Sequence, residues 1–209
     1  MNRFYAGMLS ISILIAASGC SRVLNFNQDK CISTAPVVTQ QRPASAVTNI
    51  IAANGFNISY SQSPKPRISV SAPSDLMDMV HTDIKGETLS IYSTKSLGAC
   101  DINIVVESPS VSDFTISSGT QFTIQGAYSS TSDVTVNISS GAMFIAPSSF
   151  SAPKIALGSS SGSQIKLDAI SSSAISAAAS SGSSVYLAGT SREAHLSVSS
   201  GAGISAGKL

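Results

Sequence analysis

Residues 113–124 read DFTISSGTQFTI, with apolar side chains at alternate positions on both sides of a Ser-Ser-Gly triplet. Four further Ser-Ser-Gly triplets follow. The five glycines are Gly119, Gly141, Gly162, Gly182 and Gly201, at intervals of 22, 21, 20 and 19 residues. A repeat of about twenty residues is typical of solenoids, in which each unit buries its apolar face against its neighbours. The repeat predicts an architecture and does not by itself identify a ligand or a reaction.

Each triplet lies between two arms that have the period of a β-strand. The positions three and five residues before and after each glycine are apolar in nearly every copy, and only Ser159 breaks this pattern. A third apolar position follows each of the first three glycines, at Tyr128, Phe150 and Ile170. In the fourth copy Thr190 or Ser191 falls there. Because alternate residues of a strand face the same way, we expect an all-β β-solenoid (β-helix-like) of about 19–22 residues per coil, preceded by further β-strands.

The composition favours an ordered domain over a disordered one. Hydrophobic residues make up 43 % of the chain and charged residues 11 %, whereas disordered chains combine low hydrophobicity with high net charge. A serine-rich disordered tail over residues 111–209 is the alternative, but it would not require apolar residues in register. The 12 basic and 11 acidic residues nearly balance, so there is no electrostatic reason to bind nucleic acid or an anionic membrane surface.

The N-terminus is predicted to be a lipoprotein signal peptide. Arg3 supplies the positive start, and Met8–Ala17 is an apolar stretch too short to span a bilayer comfortably. The sequence ASGC at residues 17–20 resembles the bacterial lipobox, in which the cysteine is lipidated after the preceding peptide is removed. We therefore expect Cys20 to carry a lipid. An ordinary secretory peptide cleaved nearby is the alternative.

The residue after Cys20 is Ser21 rather than Asp, which argues against retention at the inner membrane in an enterobacterial-type sorting system. The expected location is the bacterial cell envelope, at the outer membrane. Whether the protein faces the periplasm or the cell surface stays open.

Cys31 and Cys100 are the two cysteines that remain after Cys20. An exported protein matures in an oxidising compartment, so we expect this pair to form a disulfide. Two buried free thiols are the alternative. The spacing is not that of a zinc site, and no histidine lies near either cysteine in the sequence.

The segment before the repeats also has strand character. Two β-like runs at residues 47–52 and 56–60 flank Asn54-Gly55, a dipeptide that often closes a β-hairpin. Residues 75–82 are expected to form one short helix. The predicted organisation has four parts: a lipoprotein signal peptide at 1–19, a tether at 20–43, an N-terminal β part at 44–110 and the solenoid at 111–209.

Four short motifs precede the repeats: GFNI at 55–58, ISVSA at 68–72, GETLSI at 86–91 and INIVV at 102–106. Together with the Ser-Gly repeats, and over roughly residues 44–209, their order resembles the family called the putative autotransporter adhesin head domain, or GIN domain. The resemblance implies an all-β, β-helix-like exported protein that is commonly a lipoprotein. It implies no catalytic residues.

The repeats contain few groups suited to catalysis. Polysaccharide lyases and hydrolases need clustered carboxylates, or Lys and Arg, on one outer face. Lys166 and Asp168 form the close acid–base pair of the central coils, and we expect them to be a solvated ion pair. His195 is expected to face outward without an acidic partner. The sequence therefore predicts no catalytic, cofactor-binding or metal site.

Three outward positions after the turns are apolar where solvent is expected: Met143, Ile145 and Tyr186. Exposed apolar side chains that cluster can mark an interaction site, whereas scattered ones need no explanation. We interpret these three as a candidate interaction surface, with chance scatter as the alternative.

The last repeat suggests an uncovered end. No helix or charged segment follows to cover Val198 and Ile204, and solenoid ends without a cap expose strand edges. A partner docked there, or a homodimer through the C-terminal end, is the expected remedy. The alternative is that a short edge beside Lys208 needs no cover.

These patterns predict a lipid-anchored protein of the bacterial envelope that acts as a non-catalytic binding, adhesion or structural module. A carbohydrate-active enzyme or carbohydrate-binding protein on a β-helix is the alternative. The expected partners are the membrane, through the lipid, and an envelope protein or a glycan.

Overall fold

The computed structural model describes residues 31–209, and its regular structure is β-strand apart from one 3₁₀ turn. Within this part of the chain, no helix is both long enough and apolar enough to cross a membrane. The strands are β1 (Val37–Arg42), β2 (Asn49–Ala52), β3 (Asn57–Gln62), β4 (Arg67–Pro73), β5 (Val80–Lys85), β6 (Thr88–Ser93), β7 (Asn103–Ser108), β8 (Asp113–Ile116), β9 (Gln121–Ile124), β10 (Tyr128–Ser129), β11 (Val134–Ile138), β12 (Met143–Ser159), β13 (Gln164–Ala179), β14 (Ser184–Val198) and β15 (Gly203–Lys208).

The helix expected at residues 75–82 is wrong. Only Met77–Met79 forms a 3₁₀ turn, and the chain then enters β5. β5 pairs antiparallel with β6 along its whole length, so the backbone hydrogen bonds of this segment go to a neighbouring strand rather than to a helix of its own.

The repeats form the predicted β-solenoid of about five coils. Before each Ser-Ser-Gly corner, β8, β11 and the second halves of β12, β13 and β14 stack in parallel. After each corner, β9, the first halves of β12, β13 and β14, and β15 do the same. Equivalent residues pair directly, as Phe114 does with Val136 and Val136 with Leu157.

The inward positions predicted from the repeat are buried in the first four coils. Each of them is at most 4 % exposed. The exception in the pattern, Ser159, is buried as well, and its hydroxyl lies 2.9 Å from the hydroxyl of Ser163. The polar group at this inward position is therefore hydrogen-bonded, as buried polar groups usually are.

The core is aromatic in the early coils and becomes aliphatic later. Phe122 stacks on Phe144 with ring centroids 5.5 Å apart, and Tyr128 stacks on Phe150 at 4.5 Å. In the next coil Ile165 and Ile170 take the same positions. Smaller core residues accompany the shortening of the repeat towards the C-terminus.

The residue predicted for the third inward position of the fourth coil is wrong. Gly189, and not Thr190 or Ser191, pairs with Ile170. A Cβ on Gly189 would lie 2.3 Å from the backbone nitrogen of Ile170. Glycine therefore lets the fourth coil approach the third at this point. The row of third inward positions, which holds Tyr128, Phe150 and Ile170, has no side chain in the fourth coil.

Each corner uses two residues with left-handed backbone conformation. In the first corner Ser118 has φ 55° and Gly119 has φ 72°, and the amide of Thr120 donates to the carbonyl of Ser117 at 3.2 Å. Positive φ at both central residues is the type I′ turn. The corners also bond to each other, since the amide of Gly119 donates to the carbonyl of Ser140 at 2.9 Å.

The hairpin expected at Asn54-Gly55 is wrong, because β2 and β3 do not pair with each other. β2 pairs in parallel with β6 and β8, and β3 pairs in parallel with β7 and β9. Asn54 and Gly55 both have φ 77° and occupy the place of a Ser-Gly corner. The chain from β2 to β3 is therefore another coil beneath the repeats.

The N-terminal end of the stack is finished by antiparallel strands, and we call it the closed end. In one arm β1 and β4 continue the sheet from β7, and in the other β5 continues it from β6. The guanidinium of Arg42 donates to the carbonyl of Met77 at 2.9 Å and so ties β1 to the 3₁₀ turn. One hydrogen-bonded sheet thus runs through the described residues. The predicted boundaries of the N-terminal β part, after residue 43 and at residue 110, stay predictions.

Candidate functional site

The residues that follow the corners form one continuous outer surface, which we call the post-turn face. It comprises the outward residues of β9, of the first halves of β12, β13 and β14, and of β15. Neighbours along a row lie on adjacent strands, about 4.8 Å apart. The two rows are Gln121–Met143–Gln164–Ser184–Gly203 and Thr123–Ile145–Lys166–Tyr186–Ser205.

The structure places all three residues of the predicted interaction surface on the post-turn face. Met143 and Ile145 are half-buried, while Tyr186 is 44 % exposed. Ile145 and Tyr186 belong to the same row, with Lys166 between them, which separates their backbones by about 10 Å. The three residues therefore share a face without forming one contiguous apolar patch.

Polar groups surround Tyr186 instead. Lys166 and Asp168 form the expected ion pair, with Nζ and Oδ2 3.2 Å apart and both side chains exposed to solvent. An open groove of about 540 Å³ lies at this part of the face. Its polar and aromatic lining comprises Gln164, Lys166, Asp168, Tyr186, Ser205 and Lys208. We call this the Tyr186 groove.

Tyr186 differs from the other tyrosines in the described part of the chain. The hydroxyls of Tyr60 and Tyr128 donate to the backbone carbonyls of Ser108 and Val111, and that of Tyr92 donates to Asp83. Burial raises the pKa of Tyr60 to about 12 and also raises the pKa of Tyr128. Those two phenols are structural groups held neutral in the core.

Part of the groove was not found from the sequence. The offsets from the corner glycines correctly place Gln164, Lys166 and Ser205 outward. Lys208 enters the lining because the β14–β15 register shifts after Tyr186, so that Ala188 pairs with Lys208. A shift of this kind has no signal in the repeat spacing.

The face before the corners also carries charged groups. Asp133, Lys154, Glu193 and His195 line a second shallow groove there, and His195 is exposed as expected. Among residues 31–209 there is no group of three His, Cys, Asp or Glu side chains placed to hold a metal ion. We assign no chemistry to this face.

Cys31 and Cys100 are bonded in the structure, with their Cα atoms 4.2 Å apart. The bond attaches the start of the described chain to the loop before β7, at the closed end. Cys20, the signal peptide and the first part of the tether lie outside the described residues.

The C-terminal end of the stack, which we call the open end, exposes inward-facing side chains. Leu196 and Val198 of β14 are 45 % and 49 % exposed, although they pair with the fully buried Ala177 and Ala179. No strand of the described chain pairs with β14 beyond Ala188 on its outer side. An edge with apolar side chains is therefore uncovered.

Comparisons with known proteins agree with this architecture. A family model described as "Putative auto-transporter adhesin, head GIN domain" matches residues 46–209. A search of curated proteins gave no match. Several solved structures are similar in fold, at sequence identities too low to show more than the fold, and three of them illustrate the likeness.

The first is a putative adhesin from Parabacteroides distasonis, with 13 % identity, a TM-score of 0.77, and coverage of 82 % of this chain and 73 % of that one. A putative adhesin from Bacteroides fragilis has 17 % identity, a TM-score of 0.55, and coverage of 82 % and 97 %. A putative lipid binding protein from Parabacteroides distasonis has 14 % identity, a TM-score of 0.50, and coverage of 83 % and 97 %.

Proposed function

Because the chain belongs to the family described as putative auto-transporter adhesin, head GIN domain, we propose that it is a non-catalytic binding module and that its post-turn face contacts the binding partner. The second part of the proposal is that a lipid on Cys20 holds the protein at the outer membrane of a bacterial envelope. The observation that carries this proposal is the exposed Tyr186, whose hydroxyl has no hydrogen-bond partner in the described part of the chain and which shares the post-turn face with Met143 and Ile145.

The solenoid is suited to presenting such a face rigidly. Strands of neighbouring coils pair residue by residue, and hydrogen bonds from corner to corner fix the position of each turn. Side chains on a rigid scaffold lose less conformational freedom on binding than those on a mobile loop. This supports recognition by the outer surface of the sheet.

The chain enters the described fold at the closed end. The described chain begins at Cys31, which is joined to Cys100 before β7. From β1 to β15 the sheet has eight inter-strand steps, or roughly 40 Å. With a lipid on Cys20, this separation favours an orientation in which the Tyr186 groove and the open end face away from the membrane.

Lipidation is tested by replacing Cys20 with serine. The wild-type protein is expected to incorporate labelled palmitate and to fractionate with membranes, since several acyl chains hold a protein firmly on a bilayer. Cys20→Ser should lose the label and appear in the soluble fraction, whereas Ser21→Ala should behave as wild type. Label retained on Cys20→Ser protein would contradict the anchor.

Binding by the post-turn face is tested with a photo-reactive amino acid placed at one of two exposed serines. Ser205 adjoins Tyr186 on the post-turn face, and Ser176 lies on the face before the corners. Irradiation of intact envelopes should give a higher-mass adduct from position 205 and none from position 176. Equal adducts, or none from position 205, would contradict the assignment of this face.

A further inference from the structure

The Tyr186 groove combines an aromatic side chain with hydrogen-bonding groups that the protein does not use. Its tyrosine hydroxyl and the side-chain amide of Gln164 have no hydrogen-bond partner in the described part of the chain, in contrast to Tyr60 and Tyr128. Resting on the proposed function of the post-turn face, we infer that this groove binds a pyranose ring of a glycan chain.

The aromatic ring supplies the apolar half of that recognition. The face of an aromatic ring carries negative charge density, and the C–H bonds on one side of a pyranose present a weakly positive, apolar surface to it. Tyr186 is 44 % exposed on the outer side of a parallel sheet, so the apolar face of a pyranose chair can reach it. Tyrosine also has few rotatable bonds, which limits the entropy lost on binding.

The ion pair beside the ring supplies the polar half. Nζ of Lys166 and Oδ2 of Asp168 lie 3.2 Å apart, so two neighbouring sugar hydroxyls can bond to them, one accepting from the ammonium and the other donating to the carboxylate. Gln164 adds an amide that both donates and accepts. Charge-assisted hydrogen bonds of this kind are the stronger ones.

Other occupants fit the groove less well. An acyl chain would remove Lys166 and Asp168 from water and leave them only each other, which is costly for an ion pair. A peptide strand would add to the free edge of β15, where its main affinity would come from backbone hydrogen bonds rather than from Tyr186. The hydroxyls of a sugar can take the place of water at the polar side chains that line the groove. Its size also suits a site of about 540 Å³.

The test uses the full chain with Cys20→Ser, so that no detergent is needed, on an array of bacterial and host oligosaccharides and then in titrations with the tightest-binding oligosaccharide. Tyr186→Ala should weaken binding about tenfold or more, because it removes the stacked ring. Tyr186→Phe keeps the ring and should stay within a few-fold of wild type. Ser176→Ala on the other face should change nothing. Thermal melts of each variant establish that it is folded.

Three outcomes overturn the inference: no glycan bound at millimolar concentration, glycan binding that is insensitive to Tyr186→Ala, or Tyr186-dependent binding of an acyl micelle or a peptide in place of glycans. The cross-linking experiment separates these from failure of the proposed function. An adduct from position 205 together with a blank array leaves the binding face in place and removes only the sugar as its ligand.

Discussion

The two ends of the solenoid are finished in different ways. Leu89 and Leu196 belong to one inward row that passes through Ile50 and Phe114. At the closed end Leu89 is fully buried, and the antiparallel strand β5 pairs with its strand. At the open end Leu196 is 45 % exposed. The same residue type in the same row thus has two environments.

The difference shows which part of the sequence forms the cap of the solenoid. A repeat buries its apolar face only against the next repeat, so repeating sequence cannot end a stack. At the closed end the outer strands run antiparallel to their neighbours. A further coil would need parallel strands, so the stack does not continue there. The antiparallel strands are β1, β4 and β5, all before residue 86, and the described repeats at the open end contain no equivalent.

The largest effect is expected in the middle of the stack, where neither end matters. Phe144 is fully buried between Phe122 and Phe150, so Phe144→Ala should lower the free energy of unfolding by about 3–5 kcal/mol. Lys166→Ala, on the outer face of the next coil, should change it by no more than about 0.5 kcal/mol. Equal losses in urea denaturation would show that the inward and outward positions are misassigned.

The disulfide should stabilise the closed end. Cys31 and Cys100 are 69 residues apart, and closing a loop of that length adds roughly 4 kcal/mol in the chain-entropy model, often less in practice. Reduction should therefore lower the urea midpoint of the wild type but not that of a Cys31→Ser, Cys100→Ser double variant. Mass spectrometry of non-reduced peptides checks the bond, and two free thiols in protein isolated from envelopes would contradict it.

Alkaline pH should destabilise the tyrosine-containing coils near the closed end. Burial raises the pKa of Tyr60 from 10.0 to about 12, so above pH 10 the unfolded chain loses a proton that the folded chain keeps. Stability should be complete below about pH 10 and fall as the pH rises towards 12, by roughly 2–3 kcal/mol for this group. Urea melts at pH 8–12 measure the decline, which Tyr60→Phe should reduce. If the stability of Tyr60→Phe fell equally between pH 8 and 12, the loss would come from titratable groups other than Tyr60.

The smallest effect on stability, and the clearest on assembly, is expected at the open end. If its uncovered edge associates with a second copy, sedimentation should show a concentration-dependent dimer. Val198→Lys places a charge on that edge, at a side chain that is 49 % exposed, and should weaken the dimer at least tenfold. The matched change Val38→Lys, at a 41 % exposed side chain of the closed end, should not. A strict monomer at high concentration would remove the homodimer.

Much of the inner structure could be predicted because a solenoid repeats its register locally. Offsets from a corner glycine identify Phe144 and Ile165 as buried and Lys166 as exposed, with no knowledge of distant contacts. The corner at Asn54-Gly55 could not be identified in the same way. A type I′ dipeptide suits both a hairpin and a coil corner, and the choice depends on strands far away in sequence.

The candidate site was predictable only in part, for a related reason. Tyr186 is outward by its offset, and its neighbours Lys166 and Ser205 follow from the repeat. The contribution of Lys208 depends on a local register shift, and Gly189 aligns with Ile170 because the fourth coil is shorter. The spacing of the triplets records the shorter coil, but it records neither the register shift nor which residue of the coil lies opposite Ile170.

The difference between the two ends is tested most directly by truncating the same residue type in the same row. Leu89→Ala and Leu196→Ala should be compared by urea denaturation at low protein concentration, where association does not contribute. Leu89→Ala is expected to cost about 2–5 kcal/mol, as buried leucines do, and Leu196→Ala about 1 kcal/mol or less, because its side chain is half exposed. Equal losses at both positions would contradict a closed N-terminal end and an open C-terminal end.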